Sequence, residues 1–88
     1  MSQTAEKPKM HVKIYAPFRT YFDGDANSVS AKNRTGDFDI LPHHKNFITL
    51  LIPCDVVVRV DGKPDFILPI NKAFMHVKAD QAIVFLDV

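Results

Sequence analysis

The sequence predicts an all-β fold, an antiparallel β-sandwich of about eight to ten short strands in a single domain. Three observations carry this prediction. Apolar and polar residues alternate over short runs, as in His11-Val12-Lys13-Ile14-Tyr15-Ala16, and a period of two marks a half-buried strand. Turn signals recur about every eight to twelve residues, the spacing of sandwiches and barrels. No segment keeps a helical period over three turns. One sheet of such strands would leave its apolar face in water, so two sheets must face each other.

Residues 1–9 are polar with one proline and are expected to form a flexible segment ahead of a domain over 10–88. The first strand places Val12, Ile14 and Ala16 on one face, and Pro17 permits an edge or bend after it. Tyr21-Phe22 follows, and Asp23-Gly24-Asp25 reads as a turn. Ser28 to Lys32 alternates again, Asn33-Arg34-Thr35-Gly36 is a second turn, and Asp37 to Leu41 is a third strand. Pro42 to Asn46 forms a connection, and Phe47 to Ile52 is a strand or a single helical turn. Val56 to Val60 is β-branched and strand-like. Asp61-Gly62 suits a type I′ hairpin turn, with a return strand at Asp65 to Ile70. After a turn at Asn71-Lys72, Ala73 to Lys78 pairs with Ala82 to Val88 across Ala79-Asp80-Gln81.

Bulk properties exclude several classes. The 88 residues make one domain with a modest core, and the hydrophobic fraction of 47% is that of a globular chain. A formal charge of +1, with scattered Lys and Arg, argues against nucleic acid as a partner. The N-terminus has no apolar run of signal-peptide length, and no apolar run approaches the ~20 residues that span a bilayer. The lone Cys54 forms no internal disulfide and fits a reducing compartment.

Candidate chemistry is sparse. His43 and His44 are adjacent and point opposite ways if extended. His11, His76 and Cys54 fall on different strands, without metal-ligand spacing. No metal or cofactor is therefore expected. Asp37 and Asp39 share one strand face, whereas a catalytic acid pair comes from separate elements across a cleft. The glycines are isolated, no serine sits in a nucleophile elbow, and Asp55 beside Cys54 disfavours a thiolate. Most of the aromatic rings are expected in the core. A small-ligand or metal-binding β-barrel, suggested by the four histidines, is the weakest reading.

The most informative run is Gly36-Asp37-Phe38-Asp39-Ile40-Leu41-Pro42-His43-His44. It resembles the Gly-Glu-Phe-Gly-Ile-Leu-Pro-Gly-His signature of the ATP synthase epsilon subunit. Phe22-Asp23-Gly24 and Ser28-Val29-Ser30-Ala31 are similar to the opening of that subunit's N-terminal domain, so the resemblance covers about residues 10–88. It implies a flattened β-sandwich at the foot of the rotor's central stalk. Such a subunit is bound to a gamma-type stalk subunit and touches the polar loops of the c-ring. The implied role is non-catalytic: coupling ion flow to ATP synthesis at the cytoplasmic face, with membrane contact only through the complex. Asp37 would lie toward the c-ring loops. Ala16 and His44 would lie toward the gamma subunit, with His43 in the same turn as a further candidate contact. An exposed acid suits a basic loop, and a neutral histidine both donates and accepts a hydrogen bond.

The sequence departs from the family in glycine. The family has glycine at His43, Pro-Gly near Pro53-Cys54-Asp55, and Gly-Gly at Lys72-Ala73. Family members also continue into a two-helix hairpin, whose inhibitory and ATP-binding roles do not carry over to a sequence that stops at Val88. The expectation is a short natural protein or one domain of a longer one. The alternative function is a stand-alone β-sandwich interaction module of the same fold. The apolar run Phe47 to Ile52 is a candidate surface for weak self-association.

Overall fold

A computed structural model describes residues 9–86. Expectations for residues 1–8 and for the last two residues of the final strand fall outside the described part. Nine strands follow in order: β1 Met10–Ala16, β2 Arg19–Ala26, β3 Ser28–Asn33, β4 Gly36–Ile40, β5 Phe47–Leu51, β6 Cys54–Arg59, β7 Phe66–Ile70, β8 Ala73–Lys78 and β9 Gln81–Leu86. They form two sheets, a five-stranded one ordered β2-β1-β9-β8-β5 and a four-stranded one ordered β4-β3-β6-β7. The shortest dimension is 19 Å. That fits a flattened sandwich, since facing sheets stack about 10 Å apart.

The alternation seen in the sequence becomes the core. Val12, Ile14, Val84, Met75 and Val77 face inward from the five-stranded sheet, and Val29, Ile40, Val56 and Val58 meet them from the four-stranded one; all are buried. Each such side chain contributes about 1.5–3 kcal/mol when fully buried. The aromatic rings are not at the centre, contrary to expectation. Tyr21, Phe22, Phe38, Phe47 and Phe66 pack against the core from its margins, two pairs of them closing the open sides of the sandwich, while Phe18, Phe74 and Phe85 are exposed. Phe22 of β2 meets Phe66 of β7 at 5.3 Å between centroids, and Phe38 of β4 meets Phe47 of β5 at 5.5 Å. Both pairs join an edge strand of one sheet to an edge strand of the other. Val, Ile and Met fill the middle.

Several local expectations are corrected. Asp23-Gly24-Asp25 is not a turn but part of β2, where Asp23 pairs with Lys13 and Asp25 with His11 on β1. Those cationic or hydrogen-bonding neighbours compensate for the poor strand propensity of Asp. His11 Nε2 lies 2.6 Å from an Asp23 carboxylate oxygen. The chain reverses earlier, at Pro17-Phe18, so that β1 pairs with β2 up to Ala16 and Arg19. A register shift at Ile14/Tyr15 bends that hairpin.

Asp61-Gly62 does not form a two-residue type I′ hairpin. Six residues separate β6 from β7, Lys63 N–H donates to Val60 O at 3.1 Å, and of the two central residues Gly62 alone has positive φ, at 77°. That is the type II signature. The two-residue type I′ geometry falls instead at Ala79-Asp80, with φ of 52° and 59° and Lys78 paired with Gln81. Phe47 to Leu51 is a strand, resolved by its pairing with β8. One pairing is parallel, β1 with β9, and departs from the otherwise antiparallel scheme.

Candidate functional site

The signature run folds as an edge strand followed by a turn. Asn33 begins it: its Oδ1 accepts hydrogen bonds from Thr35 N at 2.9 Å and Thr35 Oγ1 at 2.6 Å, an Asx-type turn. Gly36 leaves that turn at φ 126°, where a side chain would be strained. β4 then runs along the edge of the four-stranded sheet, with Ile40 buried and Asp37 and Asp39 exposed on the outer face. Asp37 stands opposite Lys32 in register. Asp39 accepts a short hydrogen bond from Ser30 Oγ, which itself accepts one from Arg59 Nη1 at 2.6 Å. The shared face expected for Asp37 and Asp39 is therefore present, but Asp39 is held in a cross-strand ladder while Asp37 projects at the strand's beginning.

The turn after β4 is Leu41-Pro42-His43-His44. His44 N–H donates to Leu41 O at 3.2 Å, and His43 has φ 69°. Proline at the second position and positive φ at the third define a type II turn. Glycine suits the position His43 occupies, which gives a physical account of the family glycine there. His43 N–H donates to Asp80 Oδ1 at 2.6 Å, and His43 Nδ1 lies 3.6 Å from Asp80 Oδ2. His44 Nδ1 lies 2.7 Å from Lys45 O. A carbonyl only accepts, so Nδ1 carries the proton and Nε2 is left for a partner. The His44 ring also packs edge-on against Phe47, 5.6 Å between centroids.

These placements divide the predicted residues. Asp37 and His44 lie at opposite ends of β4. Asp80 precedes β9 and its carbonyl accepts from His11 N at 2.9 Å, so the histidine turn lies at the end of the five-stranded sheet where β1 and β9 begin. Ala16 lies at the other end, where β1 finishes, five residues or roughly 16 Å along the strand from His11. Its methyl group is buried. His43 and His44 are thus brought together, Ala16 is separated from them, and what is exposed near Ala16 is the Pro17-Phe18 turn.

One feature is new and a second extends the apolar run Phe47 to Ile52, whose Ile48 and Leu50 are exposed. Asp80 contacts the signature turn from a distant hairpin. The outer face of the five-stranded sheet carries an apolar row, Tyr15-Phe85-Phe74-Leu50, in continuous register across β1, β9, β8 and β5. Leu50 is 69% exposed and Phe74 42%. The alternation of β5 and β8 carried a signal for this row, because neither strand has polar residues at all its outward positions.

Cys54 is half-buried on β6. Burial is the main cause that pushes its thiol above the ordinary value of 9.0, and the Asp55 carboxylate adds to it. The direction agrees with the sequence reading, though burial outweighs the neighbouring charge. Among the described residues no group of three or more His, Cys, Asp or Glu is arranged to hold a metal ion, and no helix is long and apolar enough to cross a membrane.

Residues 9–88 match the family described as ATP synthase, Delta/Epsilon chain, beta-sandwich domain. The chain is 27% identical over 79 residues to the ATP synthase epsilon chain of Brevibacillus brevis, covering 90% of this chain and 60% of that one. It is 30% identical to that of Maricaulis maris, covering 91% and 65%. It is 35% identical to that of Caulobacter vibrioides over 69 residues, covering 78% and 79%. The chain thus spans less than two thirds of the Brevibacillus and Maricaulis relatives. A chain in the central stalk/c-ring structure of the Tetrahymena thermophila mitochondrial ATP synthase shares the fold. There the TM-score is 0.76 at 18% identity, covering 96% of this chain and 67% of that one. A chain of the Euglena gracilis mitochondrial ATP synthase superposes with a TM-score of 0.82 at 14% identity, covering 96% and 54%.

Proposed function

Because the chain belongs to the family of the ATP synthase delta/epsilon-chain β-sandwich domain, we propose that it serves as a rotor central-stalk subunit, linking a gamma-type subunit to the c-ring. The observation that carries this reading is the placement of the signature run on one exposed edge strand. An acid, Asp37, stands at one end of it and a histidine turn, His43-His44, at the other. A component that bridges two partners needs two separated contact points on one rigid body, and a packed sandwich resists deformation under torque. Asp37 contacts basic c-ring loops by charge complementarity. His44 offers Nε2 to the gamma-type subunit, and His43 shapes the turn. Ala16 enters as the anchor of the Pro17-Phe18 turn, a further contact. The protein is non-catalytic and peripheral at the cytoplasmic face of the membrane, held there by the complex.

The reading predicts loss of assembly and coupling with no lost chemical step. Asp37→Lys combined with His44→Ala is expected to keep the isolated domain folded with a modestly lower melting temperature, since a lysine would face Lys32 and the ring contact with Phe47 is lost. In membranes carrying the assembled complex it is expected to lower ion-driven ATP synthesis about tenfold or more, since interfacial charge reversal costs several kcal/mol. Unchanged coupling and unchanged occupancy in the complex would remove Asp37 and His44 from the contact surface. A stand-alone interaction module is the second reading, favoured by the exposed Tyr15-Phe85-Phe74-Leu50 row.

A further inference from the structure

We propose that Asp80 is the positioning residue of the signature turn: its carboxylate clamps Leu41-Pro42-His43-His44 to the β8–β9 hairpin and so holds the turn in its partner-binding shape. The inference rests on the proposed stalk contact for its functional half and on geometry alone for its structural half.

Pro42 presets the turn's second position, but the third position works against the turn. His43 takes φ 69°, a left-handed region that a non-glycine side chain enters at a cost. The segment around it is exposed, from His43 through Asn46. The turn's internal bond, His44 N–H to Leu41 O, is long at 3.2 Å. The external bond is shorter: His43 N–H to Asp80 Oδ1 at 2.6 Å, a charged acceptor for a backbone donor. His43 Nδ1 sits 3.6 Å from the other oxygen of the same carboxylate. One side chain thus faces both the backbone and the ring of the strained residue.

Asp80 is itself well placed for this. It lies in the type I′ turn at φ 59°, a region Asp tolerates better than most residues, and its carbonyl accepts from His11 N at 2.9 Å. The hairpin is therefore fixed to β1 by backbone and to the signature turn by side chain. The connection bridging the two sheets is tied to the strands that begin beside it. A glycine at position 43 would adopt the turn unaided. The clamp compensates for histidine there, so the pair His43 and Asp80 acts as a unit.

The test uses Asp80→Gly, which deletes the carboxylate while keeping the backbone carbonyl and relieving the positive φ. The hairpin then loses nothing of its own, and a lower melting temperature is not the expected result. Amide hydrogen exchange of His43 and His44 is measured in the whole chain, together with affinity for the purified gamma-type stalk subunit. The expected result is exchange at His43 about tenfold or more faster, because a hydrogen bond to a charged group is lost. Affinity is expected to fall severalfold, in proportion to the lost population of the competent turn. Asp80→Asn, which keeps an acceptor oxygen, is expected to restore most of the protection. Adding His43→Gly to Asp80→Gly is expected to restore affinity, which a general loss of stability would not allow.

Unchanged exchange in Asp80→Gly overturns the clamp. Faster exchange with unchanged affinity, where the parent chain binds, overturns its role in partner binding. If the parent chain does not bind the gamma-type subunit at all, the stalk reading fails instead, and the exchange result still decides the clamp.

Discussion

Ala79 and Cys54 show how single residues carry consequences that composition does not reveal. Ala79 holds φ 52° in the type I′ turn with no side-chain function to offset it. Ala79→Gly is expected to raise stability by about 1 kcal/mol in chemical denaturation, or roughly 4–8 °C in melting temperature for a domain of this size. No gain, or a loss, would mean that this turn relaxes in solution. Cys54 makes a pH prediction. Its thiol is raised above 9.0, first by burial and then by Asp55. The folded state therefore holds the proton more tightly than the unfolded one. Stability contributed this way is intact at neutral pH and is lost as pH rises through the ordinary cysteine range and above it. Alkylation at pH 8 is expected to be slower than for a free thiol of the same concentration, and to rise toward the free rate when the chain is unfolded. A rate at or above the free thiol's in the folded protein would contradict the burial.

At the scale of elements, the aromatic pairs are the feature with the clearest energetic signature. Phe38-Phe47 and Phe22-Phe66 each span the sheets at an open side, so each ring seals the core against water. Phe38→Ala is expected to cost about 2 kcal/mol, below the 3–5 kcal/mol of a fully buried ring, because Phe38 is only partly covered. Phe38→Leu is expected to recover half or more of that in denaturant titration. A cost below about 0.5 kcal/mol, within the range of ordinary surface changes, would mean that the margins are already wet. The elements also show where legibility ended. β1 and β3 were readable because polar and apolar residues alternate along them and one face is buried. Asp23-Gly24-Asp25 was misread because turn residues are judged locally, while Lys13 and His11 across the hairpin stabilise them as strand. Asp61-Gly62 carried the stronger type I′ signal and Ala79-Asp80 the type I′ geometry. Hairpin register there is set by β8 and β9 pairing up to Lys78 and Gln81, which leaves two residues for the turn whatever they prefer.

For the whole molecule, the sandwich class was legible and the strand order was not. β1 pairs in parallel with β9, joining the first described strand to the last across the chain's full length. Local periodicity holds no information about such a pairing, which arises from the need to cover the central strand on both sides. The candidate site divides in the same way. Asp37, His43 and His44 are proposed from the signature run and the resemblance it carries. The opposite placement of Asp37 and His44, the distance of Ala16 and the hold of Asp80 all depend on how the sheets cross, and became visible only in three dimensions. At this scale a two-sheet body presents one edge strand with Asp37 at one end and the histidine turn at the other.

The measurement that tests this most directly is capture with the chain as bait from lysate of its native source, with the captured proteins identified by mass. The account predicts recovery of a gamma-type stalk subunit from the parent chain, reduced with the Asp37→Lys, His44→Ala double variant. Clean capture of unrelated proteins, with no stalk subunit, would contradict it.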